Sequence, residues 1–230
     1  MSENDDLVGD IFAWVGTAIS TFFYISPVIP YFKLLKGETD IKHVPGILLI
    51  CSFMNCILWE NYGLLLDRFL VYFPNGLGGV ITLVWITIYL IHSAKRQFCF
   101  AFLYTSILIA GIIGLSLLCF FVLKDKICGK VAMVFNVLMY AAPGEKMLTV
   151  CKTGKYNLIP IWSTIGGTAC SACWLIYGIY QEDLNMIIPN ALGVLCSIIQ
   201  IVVFIIFKSR YKENKNEGKE SEGKESENED

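Results

Sequence analysis

Charged residues are scarce in this sequence and are missing from most of its length. They make up 17% of the 230 residues, against 55% for hydrophobic residues, and they fall between long apolar runs. A soluble domain of this size would carry more charge and alternate it through its helices. The net charge of −2 gives no sign of the basic surface that a nucleic-acid partner requires. Residues 1–10 are acidic, unlike a cleaved secretory signal, so the first apolar run is expected to remain as a helix.

Motifs for metal binding and catalysis are also missing. Only two histidines occur, and the Cys170-x-x-Cys173 motif has no second pair at zinc spacing. Most of the nine cysteines lie inside apolar runs, where cysteine behaves as a small hydrophobic residue. Neither a nucleophile beside a base nor a phosphate-binding glycine loop is present. The sequence therefore predicts no metal, no cofactor and no enzymatic activity.

Long apolar segments dominate the rest of the chain. A helix needs roughly 20 apolar residues to cross a bilayer. Segments of this kind occur at 11–32, 44–66, 70–92, 98–123, 128–150, 158–181 and 184–207. They are too long for strands and lack the alternation of a strand pattern. We therefore predict an all-α membrane protein with seven transmembrane helices.

Lysine and arginine are biased to one side of this arrangement. With the N-terminus outside, the outer loops would hold only Arg68, Lys124, Lys126 and Lys130, and the remaining basic residues near the spans would be cytoplasmic. The bias predicts an outer or lumenal N-terminus, a cytoplasmic C-terminus, and a location in the plasma membrane or an endomembrane. The tail at 208–230 is polar and repeats Glu-Gly-Lys-Glu-Ser, so we predict that it is disordered.

The sequence also repeats itself across a central linker. Pro143 follows Pro27 by 116 residues, and after the next loop the spacing becomes 115 residues. The matched positions are Pro27/Pro143, Lys36/Lys152, Pro45/Pro160, Trp59/Trp174, Tyr62-Gly63/Tyr177-Gly178, Pro74-Asn75/Pro189-Asn190 and Leu77-Gly78/Leu192-Gly193. Each repeat, 11–92 and 128–207, holds three spans, and the span at 98–123 links them. The repeats are therefore parallel, as in one class of secondary transporters that binds substrate between its repeats.

These motifs resemble the SWEET (MtN3/saliva) family of sugar transporters, which is related to the PQ-loop proteins. The similar motifs are Trp59-x-x-Tyr62-Gly63 and Asn75-x-x-Gly78 in the first repeat, and Trp174-x-x-Tyr177-Gly178 and Asn190-x-x-Gly193 in the second. The resemblance covers about residues 8–207. It implies a bidirectional, facilitative sugar transporter (a uniporter) that works by alternating access around a central pocket, in a family that often forms homo-oligomers.

The resemblance assigns the sugar pocket to Trp59, Asn75, Trp174 and Asn190. An indole face suits the C–H face of a pyranose, and an amide offers both a donor and an acceptor to its hydroxyls. An asparagine within a span is expensive unless it faces the bundle interior. The alternative is that the asparagines bond to neighbouring backbone and that the tryptophans pack or anchor at the membrane interface. Tryptophan in both repeats narrows the pocket, which favours a hexose.

The resemblance also assigns the inner gate. Four prolines match the family's proline tetrad, proposed to hinge the helices there: Pro27, Pro45, Pro143 and Pro160. Pro45 and Pro160 equally suit an ordinary first helical turn. Pro27 and Pro143 are expected deeper in their spans, where a proline bends a helix.

Three further residues leave alternatives open. Tyr62 and Tyr177 would contribute to an outer gate, or else anchor the helices at the membrane interface. Glu60 is a carboxylate within a span, so proton coupling is an alternative to uniport. The chain could then be a proton-coupled PQ-loop exporter of amino acids or other small solutes, although it has Pro27-Val28 and Pro143-Gly144 where that class has Pro-Gln. A non-transporting receptor or scaffold is the other alternative, and it would not need paired tryptophans and asparagines.

Overall fold

The computed structural model describes residues 3–38, 46–93, 98–139 and 141–227, and within these ranges every regular element is a helix. The α-helices there are α1 (Glu3–Ile25), α2 (Val28–Leu35), α3 (Gly46–Leu65), α4 (Phe69–Ser93), α5 (Phe98–Leu118), α6 (Lys124–Met139), α7 (Ala141–Thr153), α8 (Ile161–Tyr180) and α9 (Leu184–Glu227). A π-helical turn, Cys119–Leu123, joins α5 to α6, and a 3-10 turn, Tyr156–Leu158, precedes α8. The all-α prediction is confirmed.

The first predicted span is divided into two helices. It breaks at Ser26-Pro27, because Pro27 has no N–H to continue the ladder, and the Ser26 hydroxyl donates to the Phe23 carbonyl at 2.8 Å. Within the span predicted at 128–150, the structure has α6 and α7, and residue 140 between them lies outside the described residues. Pro143 lies in α7, and its depth within this span stays a prediction.

The two ends of the chain are more helical than expected. α1 begins at Glu3, inside the acidic segment at 1–10, where negative side chains favour the start of a helix. α9 continues from the apolar span to Glu227, whereas the sequence predicted disorder beyond 207. Lysine and glutamate have high helix propensity, so a helix already formed in the apolar part can propagate into this polar sequence.

The internal repeat extends to the backbone of the outer turns. Two residues after the last residue of α3 and of α8, the chain has a residue with positive φ, Asp67 (+53°) and Glu182 (+50°). The next residue in each case, Arg68 or Asp183, donates its N–H to the carbonyl five residues earlier at 2.9 Å. This pairing caps the carbonyl groups at the helix end and turns the chain into the next helix.

The packing of the helices follows an approximate two-fold symmetry. Within the first repeat α4 packs against α1 and α3, and within the second α9 packs against α6 and α8. Between the repeats, α1 packs against α8 and α6 packs against α3. Each contact of one repeat thus has a counterpart in the other, as expected for parallel repeats related by an axis along the membrane normal. The linker helix α5 lies outside this symmetry, against α3 and α4.

The outer surface of the bundle is apolar. By length and composition, three of the described helices can cross a membrane: Leu7–Ile25, Phe69–His92 and Leu184–Tyr211. Shorter apolar helices cover Ile109–Val122 and Ile127–Met139. Large side chains such as Phe22 and Phe121 are about 70% exposed on these surfaces, which suits contact with lipid. The total of seven spans stays a prediction.

Candidate substrate site between the two repeats

A cavity of about 190 Å³ lies between the two repeats. All four residues assigned to the sugar pocket line it, namely Trp59, Asn75, Trp174 and Asn190. They come from α3, α4, α8 and α9, so each repeat supplies one indole and one amide at equivalent positions. Pro74 of the first repeat also lines it.

The two asparagines make the same contact in both repeats. The Asn75 Nδ2 group donates to the Val71 carbonyl at 2.8 Å, and the Asn190 Nδ2 group donates to the Met186 carbonyl at 2.8 Å. This is the backbone contact that the alternative interpretation anticipated. It uses only one of the two N–H groups of each amide, so the other N–H and the carbonyl oxygen stay free for a ligand.

The two tryptophans are held by aromatic and polar neighbours. Trp59 meets Tyr62 edge to face at 5.6 Å, and Trp174 meets Tyr177 edge to face at 5.9 Å. The Trp174 Nε1–H also donates to the Ser20 hydroxyl in α1 at 3.2 Å. Edge-to-face packing fixes the planes of the rings. The matched sequence positions therefore give the indoles of the two repeats matched orientations.

Six further residues with polar side-chain atoms line the cavity and were not predicted: Ser20, Tyr24, Asn55, Asn136, Cys170 and Ser171. Asn55 and Asn136 could have been found from the sequence, because each is an asparagine inside an apolar span. Among the described residues, the buried Asn55 Oδ1 atom has no hydrogen-bond partner. A ligand hydroxyl in the cavity would satisfy it. Ser20 and Cys170 are less visible in sequence, since serine and cysteine are common inside helices of membrane proteins.

A polar cluster lies at the end of the bundle where α3 leads into α4 and α8 leads into α9, the end that the sequence predicts to face outward. The Tyr62 hydroxyl donates to the Asp183 carboxylate at 2.8 Å, and Arg68 Nη1 lies 2.6 Å from the same carboxylate. Asn185 donates its Nδ2–H to the Tyr62 hydroxyl at 3.0 Å. Arg68 and Asp183 occupy the same position of the two repeats, so their ion pair crosses the two-fold axis. Tyr177 is also buried at this end, in the hydrophobic cluster that contains Tyr62.

The inner-gate prolines are described only in part. Pro27 lies at the break between α1 and α2, and Pro160 lies directly before α8 with φ of −77°. Pro143 is in α7, as described above, and Pro45 lies outside the described residues. The structure thus places Pro27 and Pro160 at the ends of helices and Pro143 within α7.

Glu60 does not belong to the cavity lining in the part of the chain that the structure describes. Its Oε1 atom lies 3.0 Å from the position that a Cβ atom on Gly76 would occupy, so its carboxylate is packed against α4. Gly76 follows Asn75 directly. Glu60 therefore lies beside the cavity wall and not within it.

Two parallel repeats around a cavity lined by indoles and amides define a membrane transporter. The family model described as "Sugar efflux transporter for intercellular exchange" matches residues 10–97 and 126–212, which are the two repeats. The chain belongs to this family, the SWEET (MtN3/saliva) family, as the sequence motifs predicted. It is therefore an integral membrane protein.

Relatives match over most of their length. Bidirectional sugar transporter SWEET1 of Arabidopsis thaliana is 29% identical over 204 residues, covering 86% of this chain and 82% of that protein. Bidirectional sugar transporter SWEET5 of Arabidopsis thaliana is 30% identical over 203 residues, covering 84% and 83%. A solved structure of a eukaryotic SWEET transporter has a TM-score of 0.81, covers 90% of this chain and 100% of its own, and is 22% identical. That structure shows the shared fold.

Proposed function

We propose that this protein is a bidirectional facilitative sugar transporter, a uniporter that works by alternating access around the cavity between its repeats. The observation that carries the proposal is the pairing of Trp59 with Trp174 and of Asn75 with Asn190 around one cavity. The relatives named as bidirectional sugar transporters support it, because they match both repeats. The proposal makes the protein a carrier and not an enzyme.

The cavity suits one sugar ring. Its volume of about 190 Å³ is below the range of about 300–1,000 Å³ that is usual for drug-sized ligands. Indole faces bind the C–H faces of a pyranose, and amides exchange hydrogen bonds with its hydroxyls. Because both repeats carry a tryptophan here, we favour a hexose over a disaccharide.

Alternating access follows from the two ends of the cavity. The cluster of Tyr62, Arg68 and Asp183 holds the outer ends of the repeats together and acts as the outer gate, with Tyr177 packed beside it. Pro27, at the junction of α1 and α2, acts with Pro45, Pro143 and Pro160 as the hinges of the inner gate. Rocking one repeat against the other would open one end while the other closes, and the sugar biases this equilibrium only through a difference in affinity.

We further propose that the N-terminus is outside or lumenal and the tail is cytoplasmic, in the plasma membrane or an endomembrane. The charge bias of the loops supports this orientation. The outer gate then faces the oxidising side. Proton coupling through Glu60 is the second candidate, since Glu60 packs directly beside the cavity wall.

The test is radiolabelled glucose uptake into liposomes containing the purified protein. We expect uptake that Asn190→Ala abolishes and that a pH gradient leaves unchanged. Asn157→Ala is the matched control, because Asn157 is an exposed asparagine outside the cavity. Uptake that depends on the gradient and is lost in Glu60→Gln would replace uniport by proton coupling. Folded protein that moves neither glucose nor any sugar or amino acid of a wider panel would leave the receptor as the better interpretation.

A further inference from the structure

Cys119 and Cys128 form a pair of buried thiols at the turn between α5 and α6. Both side chains are 0% exposed and belong to the same hydrophobic cluster. The Cys128 thiol lies beside that of Cys119 and 3.9 Å from the Leu58 carbonyl oxygen in α3. The two free thiols are therefore neighbours in one closed hydrophobic cluster.

The backbone explains why these two positions are adjacent. The π-helical turn Cys119–Leu123 packs against α6, and the chain reverses at Lys124, which has a φ of +56°. Cys119 and Cys128 lie at nearly equal distances along the chain on either side of this reversal. Residues placed in this way face each other across the turn, so the contact needs only local structure to form.

The repeat does not require a thiol at Cys128. The corresponding residue of the first repeat, at the spacing of 116 residues, is Phe12 in α1. An aromatic side chain therefore serves at that position of the bundle, and the shared packing gives no reason for cysteine. The linker residue Cys119 lies outside the repeats and has no counterpart. Both cysteines are therefore features of this turn that the two-fold repeat does not share.

The compartment favours oxidation of the pair. This step rests on the orientation proposed above, which places the α5–α6 turn on the outer or lumenal side. Disulfides form and persist on that side of the membrane and are rare in the cytosol.

We infer that Cys119 and Cys128 form a disulfide in the mature protein, which fastens the linker helix to the second repeat. The two thiols lose two protons and two electrons to an oxidant, a small-molecule or protein disulfide of the oxidising lumen, which is reduced to two thiols. One thiolate attacks the oxidant to give a mixed disulfide, and the second thiolate displaces it. Because both side chains are buried in the folded protein, the exchange takes place before α6 packs against α3.

The experiment uses the full chain from cells treated with N-ethylmaleimide before lysis, then denatured and digested with trypsin without reductant. Lys124 and Lys126 lie between the two cysteines, so trypsin separates them. We expect the peptide 97–124 joined to the peptide 127–130, and we expect reductant to release both. Reductant should also lower the thermal midpoint of the detergent-solubilised protein, by about 5 °C if the closed loop constrains the unfolded chain as usual.

Variants assign the bond to one sulfur atom. Peptide 97–124 also contains Cys99, so Cys99→Ala is the matched control and should keep the linkage, whereas Cys119→Ala should abolish it. A wild-type chain with all nine cysteines alkylated before reduction, or a linkage that survives in Cys119→Ala, overturns the inference. Staining of a C-terminal tag in intact and permeabilised cells reports the orientation separately. A reduced pair combined with a cytoplasmic tail therefore overturns the disulfide and leaves the proposed function standing.

Discussion

The two repeats differ in how their predicted inner-gate hinges are held. In the first repeat, Trp85 of α4 donates its Nε1–H to the Tyr24 carbonyl at 2.8 Å and stacks on Tyr31 of α2 at 5.2 Å. The Tyr24 carbonyl lies just before the break at Ser26-Pro27. Trp85 therefore holds both sides of the first hinge against α4.

The second repeat has Gln200 at the position of Trp85. Its Nε2 group bonds the Cys196 carbonyl within α9 at 3.4 Å, so it does not reach across to α6 or α7 through that bond. The comparison shows that two repeats with the same backbone arrangement can hold their hinges with contacts of unequal strength. If the repeats rock against each other, we expect α6 and α7 to bend more readily than α1 and α2.

The cavity lining differs between the repeats as well. Asn55 stands where the second repeat has Cys170, and Asn136 stands where the first repeat has Ser20. The α3–α6 side of the cavity thus carries two extra amides, while the α1–α8 side carries a hydroxyl and a thiol in contact at 3.2 Å. A symmetric scaffold has become an asymmetric binding surface, which suits a sugar without two-fold symmetry.

The largest effect is expected from removing the amide that each repeat contributes to the cavity. Asn75→Ala and Asn190→Ala should each lower glucose uptake by about 10- to 100-fold, because each removes hydrogen bonds to a ligand worth about 1–3 kcal/mol. Their matching 2.8 Å helix contacts lead us to expect similar losses. Initial rates of uptake into liposomes measure this. A loss confined to one variant would show that only one repeat holds the sugar.

The next effect concerns the ion pair across the two-fold axis. Asp183→Ala should lower the free energy of unfolding by about 2 kcal/mol, because it leaves Arg68 and Tyr62 without their acceptor. This value already includes a reduction for the partial exposure of Arg68 to solvent. The side chains of Arg68 and Asp183 are 23% and 5% exposed. Thermal unfolding in detergent measures the change, and Glu182→Gln, at the exposed neighbouring acid, is the control.

Exchanging the two charges sharpens this prediction. In the double variant Arg68→Asp with Asp183→Arg, the ion pair can form again across the axis. We expect part of the lost stability to return, although the Tyr62 hydrogen bond would not. A double variant no more stable than Asp183→Ala would show that the position in the repeat does not determine the pairing.

A smaller effect is expected at Gly129, where the first repeat has Ala13. A Cβ atom on Gly129 would lie 2.5 Å from the Tyr62 ring and 2.7 Å from Asn185 Nδ2. Gly129→Ala should cost about 1–3 kcal/mol through overpacking, since hydrogen bonds hold both neighbours in place. Gly144→Ala, where an added Cβ would meet nothing within 4 Å, is the control for the thermal midpoint. Equal midpoints for the two variants would contradict the close approach.

The smallest effect is expected at the first hinge. Trp85→Phe keeps an aromatic ring against Tyr31 and removes the indole N–H, so the Tyr24 carbonyl loses one hydrogen bond worth about 1 kcal/mol. Gln200→Leu removes only a bond within α9 and should change the thermal midpoint less. If Trp85→Phe and Gln200→Leu lower the midpoint equally, the two hinges are held equally and the comparison fails.

Much of the fold could be predicted, because a lipid environment permits few backbone conformations. Within hydrocarbon every backbone group must be bonded inside its own segment, so long apolar runs form helices. The spans at 44–66, 70–92 and 158–181 correspond closely to α3, α4 and α8. The helix in the polar tail was not predicted. Composition indicates whether a segment can bury enough apolar surface to fold, and it does not indicate whether a preceding helix propagates into that segment.

The candidate site could be predicted in part. The indoles and amides at Trp59, Asn75, Trp174 and Asn190 were found through the repeat, and the structure brings all four around one cavity. Asn55 and Asn136 were missed because their counterparts in the other repeat, Cys170 and Ser20, are different residues. A search for identical residues at equivalent positions of the two repeats does not find positions where the repeats have diverged.

The sequence by itself determined the class of fold, the parallel repeat and its family, because apolar length and recurring motifs are local or periodic properties of the chain. Only the tertiary structure decided which residues meet across the axis. The Arg68–Asp183 ion pair and the Asn55 Oδ1 atom, which has no hydrogen-bond partner among the described residues, each depend on the packing of helices against one another. A side chain's partners follow from distances between elements, and those distances are set only when the helices pack.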